Sequence, residues 1–242
     1  MEESFESKHH RLEELHWWFC ARRDMIAKLL AGESKQARIL DVGCCAGSLL
    51  KNLGSSGFSN IYGLDINPQA VAVCKKKNLR NVFVMDGSDM SFHDEEFDVV
   101  IASDVLEHIK NENVALSEWN RVLRPGGKLI IFVPAFTFLW SAHDEANGHM
   151  RRYSARTLKD SLQVAGFSIR KMSYWNASSF FPALVTRTSQ RFLPGPKRDQ
   201  LFETNPIVNS LALGVLKCEN AALMHVSLPF GVSLFAVAEK DD

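Results

Sequence analysis

The 242-residue chain has no apolar run approaching the roughly 18 residues of a spanning helix. Its start, Met1-Glu2-Glu3-Ser4, is acidic and lacks the apolar stretch of a secretory signal. Five cysteines is an odd number, and no Cys-x-x-Cys pair occurs. That argues against a disulfide framework and against a zinc site. Cys44 and Cys45 are expected as thiols, and the expected compartment is the cytoplasm. Excess charge is missing too: Lys plus Arg and Asp plus Glu both count 28. With no global field, and with basic runs no longer than Lys75-Lys76-Lys77 or Arg151-Arg152, a nucleic-acid partner is not expected. There is no internal repeat and no low-complexity tract.

What is present is a core. Apolar residues make up 46% of the chain and charged residues 23%, enough to bury a sizeable interior. From residue 37 the pattern alternates between strand and helix. Strands are expected at 37–41, 61–65, 82–85, 97–102 and 128–133, with helices over 70–76 and 112–123 and a turn at 124–127. The nearly continuous apolar, β-branched run Phe97-Asp98-Val99-Val100-Ile101-Ala102 suits a strand buried on both faces. Such alternation implies a parallel sheet with right-handed crossovers. Ser154 can cap a helix stopped by Gly166, followed by strands at 167–174 and 234–240.

Residues 8–30 read as one amphipathic helix, with Leu12, Leu15, Trp18, Phe19, Met25, Ile26, Leu29 and Leu30 at helical spacing. It either packs on the domain body or closes over a ligand, with Arg22 or Arg23 facing a carboxylate. Between the last two strands, residues 178–192 form an apolar helix face with Arg187 and Arg191 opposite. Pro194 to Gln200 reads as a linker, and Asn205-Pro206 opens a helix reaching residue 224.

The densest functional signal is Ile39-Leu40-Asp41-Val42-Gly43-Cys44-Cys45-Ala46-Gly47-Ser48: a strand ending in an acid, a glycine-bracketed turn and a helix start. Two more strands end in acids, at Asp65 and Asp86. Neither the dinucleotide spacing Gly-x-Gly-x-x-Gly nor a phosphate-cradling Gly-Lys-Ser/Thr is met. A carboxylate at Asp65 can accept hydrogen bonds from two vicinal ribose hydroxyls.

The motif Asp41-Val42-Gly43-Cys44-Cys45-Ala46-Gly47 resembles the glycine-rich loop of class I S-adenosylmethionine-dependent methyltransferases, with Cys45 in place of the middle glycine. The segment Val105-Leu106-Glu107-His108 resembles the branch containing ubiquinone-biosynthesis O-methyltransferases. The resemblance, dense over residues 37–133, implies a Rossmann-like α/β fold. Its seven-stranded, mostly parallel sheet has the order 3-2-1-4-5-7-6, the last strand antiparallel and helices on both faces. Residues 1–34 then form a helical cap on a methyltransferase domain of residues 35–242, with a helical insertion at about 176–226.

The implied cofactor is S-adenosylmethionine, released as S-adenosylhomocysteine, held by Asp41, Gly43, Cys44, Gly47, Asp65, Ile66, Asp86, Gly87 and Ser103. Asp86 would take the adenine amino group, and Ile66 and Met90 would sandwich the ring. No metal is expected.

The sulfonium is already activated, so the protein must mainly align the reactants and exclude water. A hydroxyl acceptor gains from a base. The first candidates lie in 140–153, beyond the fifth strand: His143, oriented by Asp144 or Glu145, then His149; His108, beyond the fourth strand, is third. Arg151 or Arg152 could hold an anionic group, and a surface loop tied by salt bridges is the plain reading of the same stretch. The expected reaction is methyl transfer to the hydroxyl oxygen of a small-molecule acceptor. N- or C-methylation and a non-catalytic, cofactor-binding regulator are the alternatives. A lipid-linked acceptor with peripheral membrane contact stays open, as does a monomer or a homodimer.

Overall fold

The computed structural model describes residues 12–192 and 204–241. Seven strands form one sheet: β1 (Arg38–Val42), β2 (Asn60–Asp65), β3 (Val82–Val84), β4 (Phe97–Ser103), β5 (Leu123–Pro134), β6 (Phe167–Trp175) and β7 (Ser233–Lys240). Their order is β3-β2-β1-β4-β5-β7-β6. β1 to β5 pair in parallel, and β7 runs antiparallel to β5 and β6. This is the expected Rossmann-like arrangement. The helices are α1 (Trp17–Leu29), α2 (Ser48–Ser55), α3 (Pro68–Lys76), α4 (Glu112–Val122), α5 (Ala142–Ala146), α6 (Ala155–Val164), α7 (Phe180–Phe192) and α8 (Pro206–Leu223).

Side chains alternate across a strand, so each apolar run feeds two cores. Val100, Ala102, Leu129 and Ile131 point to one face, against Trp119 of α4 and Leu158 and Leu162 of α6. Val99, Ile101, Ile130 and Phe132 point to the other, against Met25 and Ile26 of α1 and Leu216 and Leu223 of α8. Each fully buried large side chain contributes roughly 1.5–3 kcal/mol. Local signals set the helix starts: Asn67 caps α3 ahead of Pro68, and the Ser154 side chain accepts from Thr157 N at α6.

Three expectations change. The helix expected over 8–30 is broken at His16, whose backbone is extended and whose ring accepts from Trp18 N. The cause is tertiary: Asn209 of α8 accepts from Trp17 N and donates to Leu15 O, which favours a helix start at that point. The turn expected at 124–127 lies inside β5, because Leu123 already pairs with Phe97 and the bend is absorbed as a register shift. The stretch 140–153, read as a loop, contains α5, which opens with a capping box at Ser141 and Asp144. The linker expected at 194–200 lies outside the described residues. Among the described residues no helix is long and apolar enough to cross a membrane.

Candidate active site

The carboxyl ends of β1, β2 and β4 open onto a cleft of about 630 Å³, within the usual range for small-molecule sites. This is where open α/β sheets bind ligands. One wall carries Gly43, Asp65, Ile66, Asp86 and Gly87, and the other carries Asp104, Val105, His108 and Met150. Five of the nine expected cofactor residues therefore share one cavity. Asp41, Cys44 and Gly47 are buried behind it, and Ser103 also lies off its lining.

The glycine-bracketed loop is set by contact. Gly43 has φ +73°, and a Cβ there would stand 2.6 Å from Val105 Cγ2. Gly47 has φ +77°, and its Cβ would meet Leu79 Cδ1 at 2.4 Å. Cys45, the departure from the family pattern, itself adopts the left-handed conformation at φ +46°, which costs a non-glycine residue roughly 1–2 kcal/mol. The bend is held from outside: Cys45 N donates to Asp65 Oδ2 at 2.9 Å, and Cys45 O accepts from Cys74 Sγ. The segment ahead of α1 also clasps the loop. Ala46 N donates to Glu13, while Lys77 bridges Glu14 and Ala46 O.

The acids differ in state. Burial, reinforced by Glu13 and Asp65, pushes the Asp41 carboxyl well above its ordinary range. Asp65 accepts from Cys45 N and Asn67 N, so it anchors the loop while facing the cleft. Asp86 is exposed and accepts from the backbone and hydroxyl of Ser88. Ile66 is 71% exposed on the cleft wall. Met90 does not join it as expected: it is buried in the core beside Trp119, and Met85 lines the cleft instead.

Beyond β5 the expected grouping is reshuffled. Asp144 is fully buried and accepts from Arg152 Nε at 2.7 Å, Arg152 Nη2 at 3.0 Å and Ser141 N at 2.8 Å. Its Oδ1 also accepts a hydrogen bond from His149 Nδ1 at 2.9 Å. Burial pushes this carboxyl up, but the hydrogen bonds from His149 and Arg152 outweigh it and hold it below the usual range. Asp144 thus orients His149, whereas the His143 ring is met by Asn147 Nδ2. Arg152 also donates to Ala135 O, and Arg151 is paired with Glu112, so both are engaged within the protein. Tyr153 donates to Glu112 too. His108 lies edge-on to His149, ring centroids 4.8 Å apart, and the histidines at 143 and 149 are 6.1 Å apart. Burial and the neighbouring His149 lower the His108 pKa.

Arg22, one of the two arginines expected to face a carboxylate, and Glu107 also reach this region. Arg22 of α1 is buried and donates to Asp104 Oδ2 at 2.8 Å, to Ser103 Oγ and to Ser233 Oγ. Its guanidinium lies 4.2–4.4 Å from the rings of Trp18, Phe132 and Trp175. The carboxylate that Arg22 faces is therefore the chain's own Asp104. Glu107 is fully buried, and neither of its carboxyl oxygens has a hydrogen-bond partner. Its sequence signals are its place in the family-like segment and a charge shortly after a strand buried on both faces.

Residues 40–131 match the family described as "Methyltransferase domain". A probable S-adenosylmethionine-dependent methyltransferase of Mycolicibacterium smegmatis is 30% identical over 162 residues, 65% of this chain and 62% of that protein. A ubiquinone biosynthesis O-methyltransferase of Xanthomonas oryzae pv. oryzae is 31% identical over 101 residues, 39% of this chain and 42% of that protein. The matched segment thus spans less than two thirds of either relative. Among solved structures, the complex between the Haloferax volcanii Trm112 methyltransferase activator and its putative methyltransferase shares the fold. It gives a TM-score of 0.66 at 18% identity, covering 99% of this chain and 95% of the other.

Proposed function

Because the chain belongs to the class I S-adenosylmethionine-dependent methyltransferases, we propose that it transfers the methyl group of S-adenosylmethionine to the oxygen of a small-molecule acceptor. The observation that carries this reading is the convergence of Asp65, Ile66 and Asp86 with His108 on one cleft. Asp65 takes the ribose hydroxyls, Asp86 the adenine amino group, and Ile66 with Met85 the ring faces. Gly43, Cys44 and Gly47 shape the loop that admits the methionine tail, Asp41 supports it from behind, and Ser103 joins Arg22 at the end of β4. Residues 12–34 act as the described part of the expected 1–34 cap, the rest of which lies outside the described residues, and this is supported by the contact of Glu13 with Ala46 and of Glu14 with Lys77.

The acceptor enters at the end lined by His108 and Met150. Its hydroxyl loses a proton there, the new O–C bond forms as the C–S bond breaks, and S-adenosylhomocysteine leaves. Asp144 and His149 serve this ionisation, and His143 yields first place to His149, the imidazole oriented by a carboxylate. An oxygen acceptor is also in keeping with the likeness to the ubiquinone biosynthesis O-methyltransferase of Xanthomonas.

The test couples binding to turnover. S-adenosylhomocysteine binding by calorimetry should weaken by at least about tenfold in Asp65→Ala. In a product screen, His149→Ala should lower turnover by roughly 10²-fold or more with cofactor binding intact. Full turnover in His149→Ala overturns the assignment at the acceptor end.

A further inference from the structure

We propose that Cys44 and Cys74 are an oxidisable thiol pair beneath the cofactor loop, closed to a disulfide by a peroxide, and that closure weakens cofactor binding. The effect on the cofactor rests on the methyltransferase reading, although the pair itself does not.

The first argument is geometry. Cys44 stands in the loop beyond β1, and Cys74 in the last turn of α3. Both are buried in one small cluster with Leu50, Val71 and Val82. Their sulfurs converge on one atom: Cys74 Sγ donates to Cys45 O at 3.2 Å, and Cys44 Sγ lies 4.0 Å from the same oxygen. The two thiols also hydrogen-bond each other. Each sulfur fills space that a glycine leaves. A Cβ at Gly63 would stand 2.9 Å from Cys44 Sγ, and one at Gly47 would stand 2.9 Å from Cys74 Sγ.

The second argument is that the two thiols differ in state. The hydrogen bond from Cys44 holds the Cys74 thiol below its ordinary range against burial, and Lys77 adds to this. The same bond, with burial, pushes Cys44 up. Protonated, Cys74 donates to Cys45 O; ionised, it accepts from Cys44. That is the division between an attacking thiol and a resolving one. The Cys74 thiolate attacks one oxygen of hydrogen peroxide, and the O–O bond breaks. A sulfenic acid forms, and the departing hydroxide takes a proton to become water. Cys44 sulfur, giving up its proton, then attacks the Cys74 sulfur. The S–S bond forms, the S–O bond breaks and a second water leaves. Two thiols are oxidised, and one peroxide is reduced to two waters.

The third argument is what the loop loses. Cys45 is left-handed at φ +46° and is held by Asp65 and by Cys74. A disulfide consumes the Cys74 S–H, so Cys45 O loses its donor. It also draws the sulfurs to about 2.05 Å, which pulls the loop toward α3. The turn from Gly43 to Gly47 then departs from the shape that admits the methionine tail. Access runs through the same bend: Cys45 is half-buried, and an oxidant little larger than water enters when the bend opens.

Full-length protein is reduced, exposed to hydrogen peroxide, digested without reductant and mapped by mass spectrometry. A peptide joining Cys44 to Cys74 is expected. On the same samples, S-adenosylhomocysteine affinity by calorimetry should fall at least about fivefold, the size of one lost hydrogen bond, and recover with dithiothreitol. Cys74→Ser should lose both the cross-linked peptide and the response to peroxide, whatever its starting affinity. Cys218→Ser, exposed on α8, should keep both. Absence of the Cys44–Cys74 peptide, or a peptide formed with no change in affinity, overturns the proposal and leaves two buried thiols packed as small apolar side chains. If Cys74→Ser does not fold, the peptide map and its reversal in the wild type decide. Failure of the reduced chain to bind S-adenosylhomocysteine overturns the cofactor reading and the proposed weakening with it, while the peptide map still decides the pair.

Discussion

His149 Nδ1 stands 2.9 Å from Asp144 Oδ1, and the same buried carboxylate takes two hydrogen bonds from Arg152. One side chain therefore ties down the core-side arginine and sets the tautomer of the cleft-side histidine. Removing it in Asp144→Ala strands a buried guanidinium, at a cost of about 3–5 kcal/mol. A lowered urea midpoint measures the loss.

The same carboxyl predicts a pH dependence. Its folded pKa is depressed, so its stabilisation is whole above the ordinary aspartate value near 3.9 and is lost as pH falls through the folded value. In urea titrations, the gap between wild type and Asp144→Asn should stay constant from pH 7 to about 4 and narrow only below that.

Asp41 gives the opposite sign. Burial raises its folded pKa, so the folded chain holds a proton that the unfolded chain releases above about pH 4. Its contribution is most favourable at low pH and declines as pH rises toward the folded value. Asp41→Asn should gain on wild type in thermal melts between pH 4 and 8. A constant offset would refute the assignment.

The loop substitutions separate backbone strain from close packing. Gly47→Ala adds a Cβ 2.4 Å from Leu79 and 2.9 Å from Cys74 Sγ at a positive φ, and should destabilise by roughly 2–3 kcal/mol. Cys45→Gly removes a left-handed non-glycine residue while adding chain entropy, so the change should stay within about 1 kcal/mol. Its S-adenosylhomocysteine affinity should match or exceed that of wild type by calorimetry.

Asp65 anchors the loop through Cys45 N, and Asp86 is turned toward Ser88. Asp65→Ala should therefore weaken S-adenosylhomocysteine binding by at least about tenfold, and more than Asp86→Ala does. Equal losses would mean that the loop needs no anchor.

Much of the sheet was legible because its signals are local. The Phe97 to Ala102 run is apolar on both faces wherever it is placed, so it reads as a central strand before any partner is known. Asn67-Pro68 and Ser154 mark helix starts through bonds to neighbours two or three positions away. The His16 break was not legible, because its cause is Asn209 from the far end of the chain. Met90 misled for the same reason: apolar character does not distinguish a cleft wall from the core beneath it.

The order of strand, acidic end, glycine-bracketed loop and following helix was settled by the sequence alone. Backbone conformation, apolar periodicity and the chemistry of a strand end all depend on residues close in the chain. The pairing at the acceptor end was decided by tertiary structure. His143 stood beside Asp144 in sequence, yet one turn of α5 and the packing of Arg152 aim that carboxylate at His149. Glu107 and His108 come from the end of β4 and meet His149 only because parallel pairing of β4 with β5 brings the segments beyond them together. A side chain's partner depends on where the folded backbone points it, and linear spacing carries no record of that.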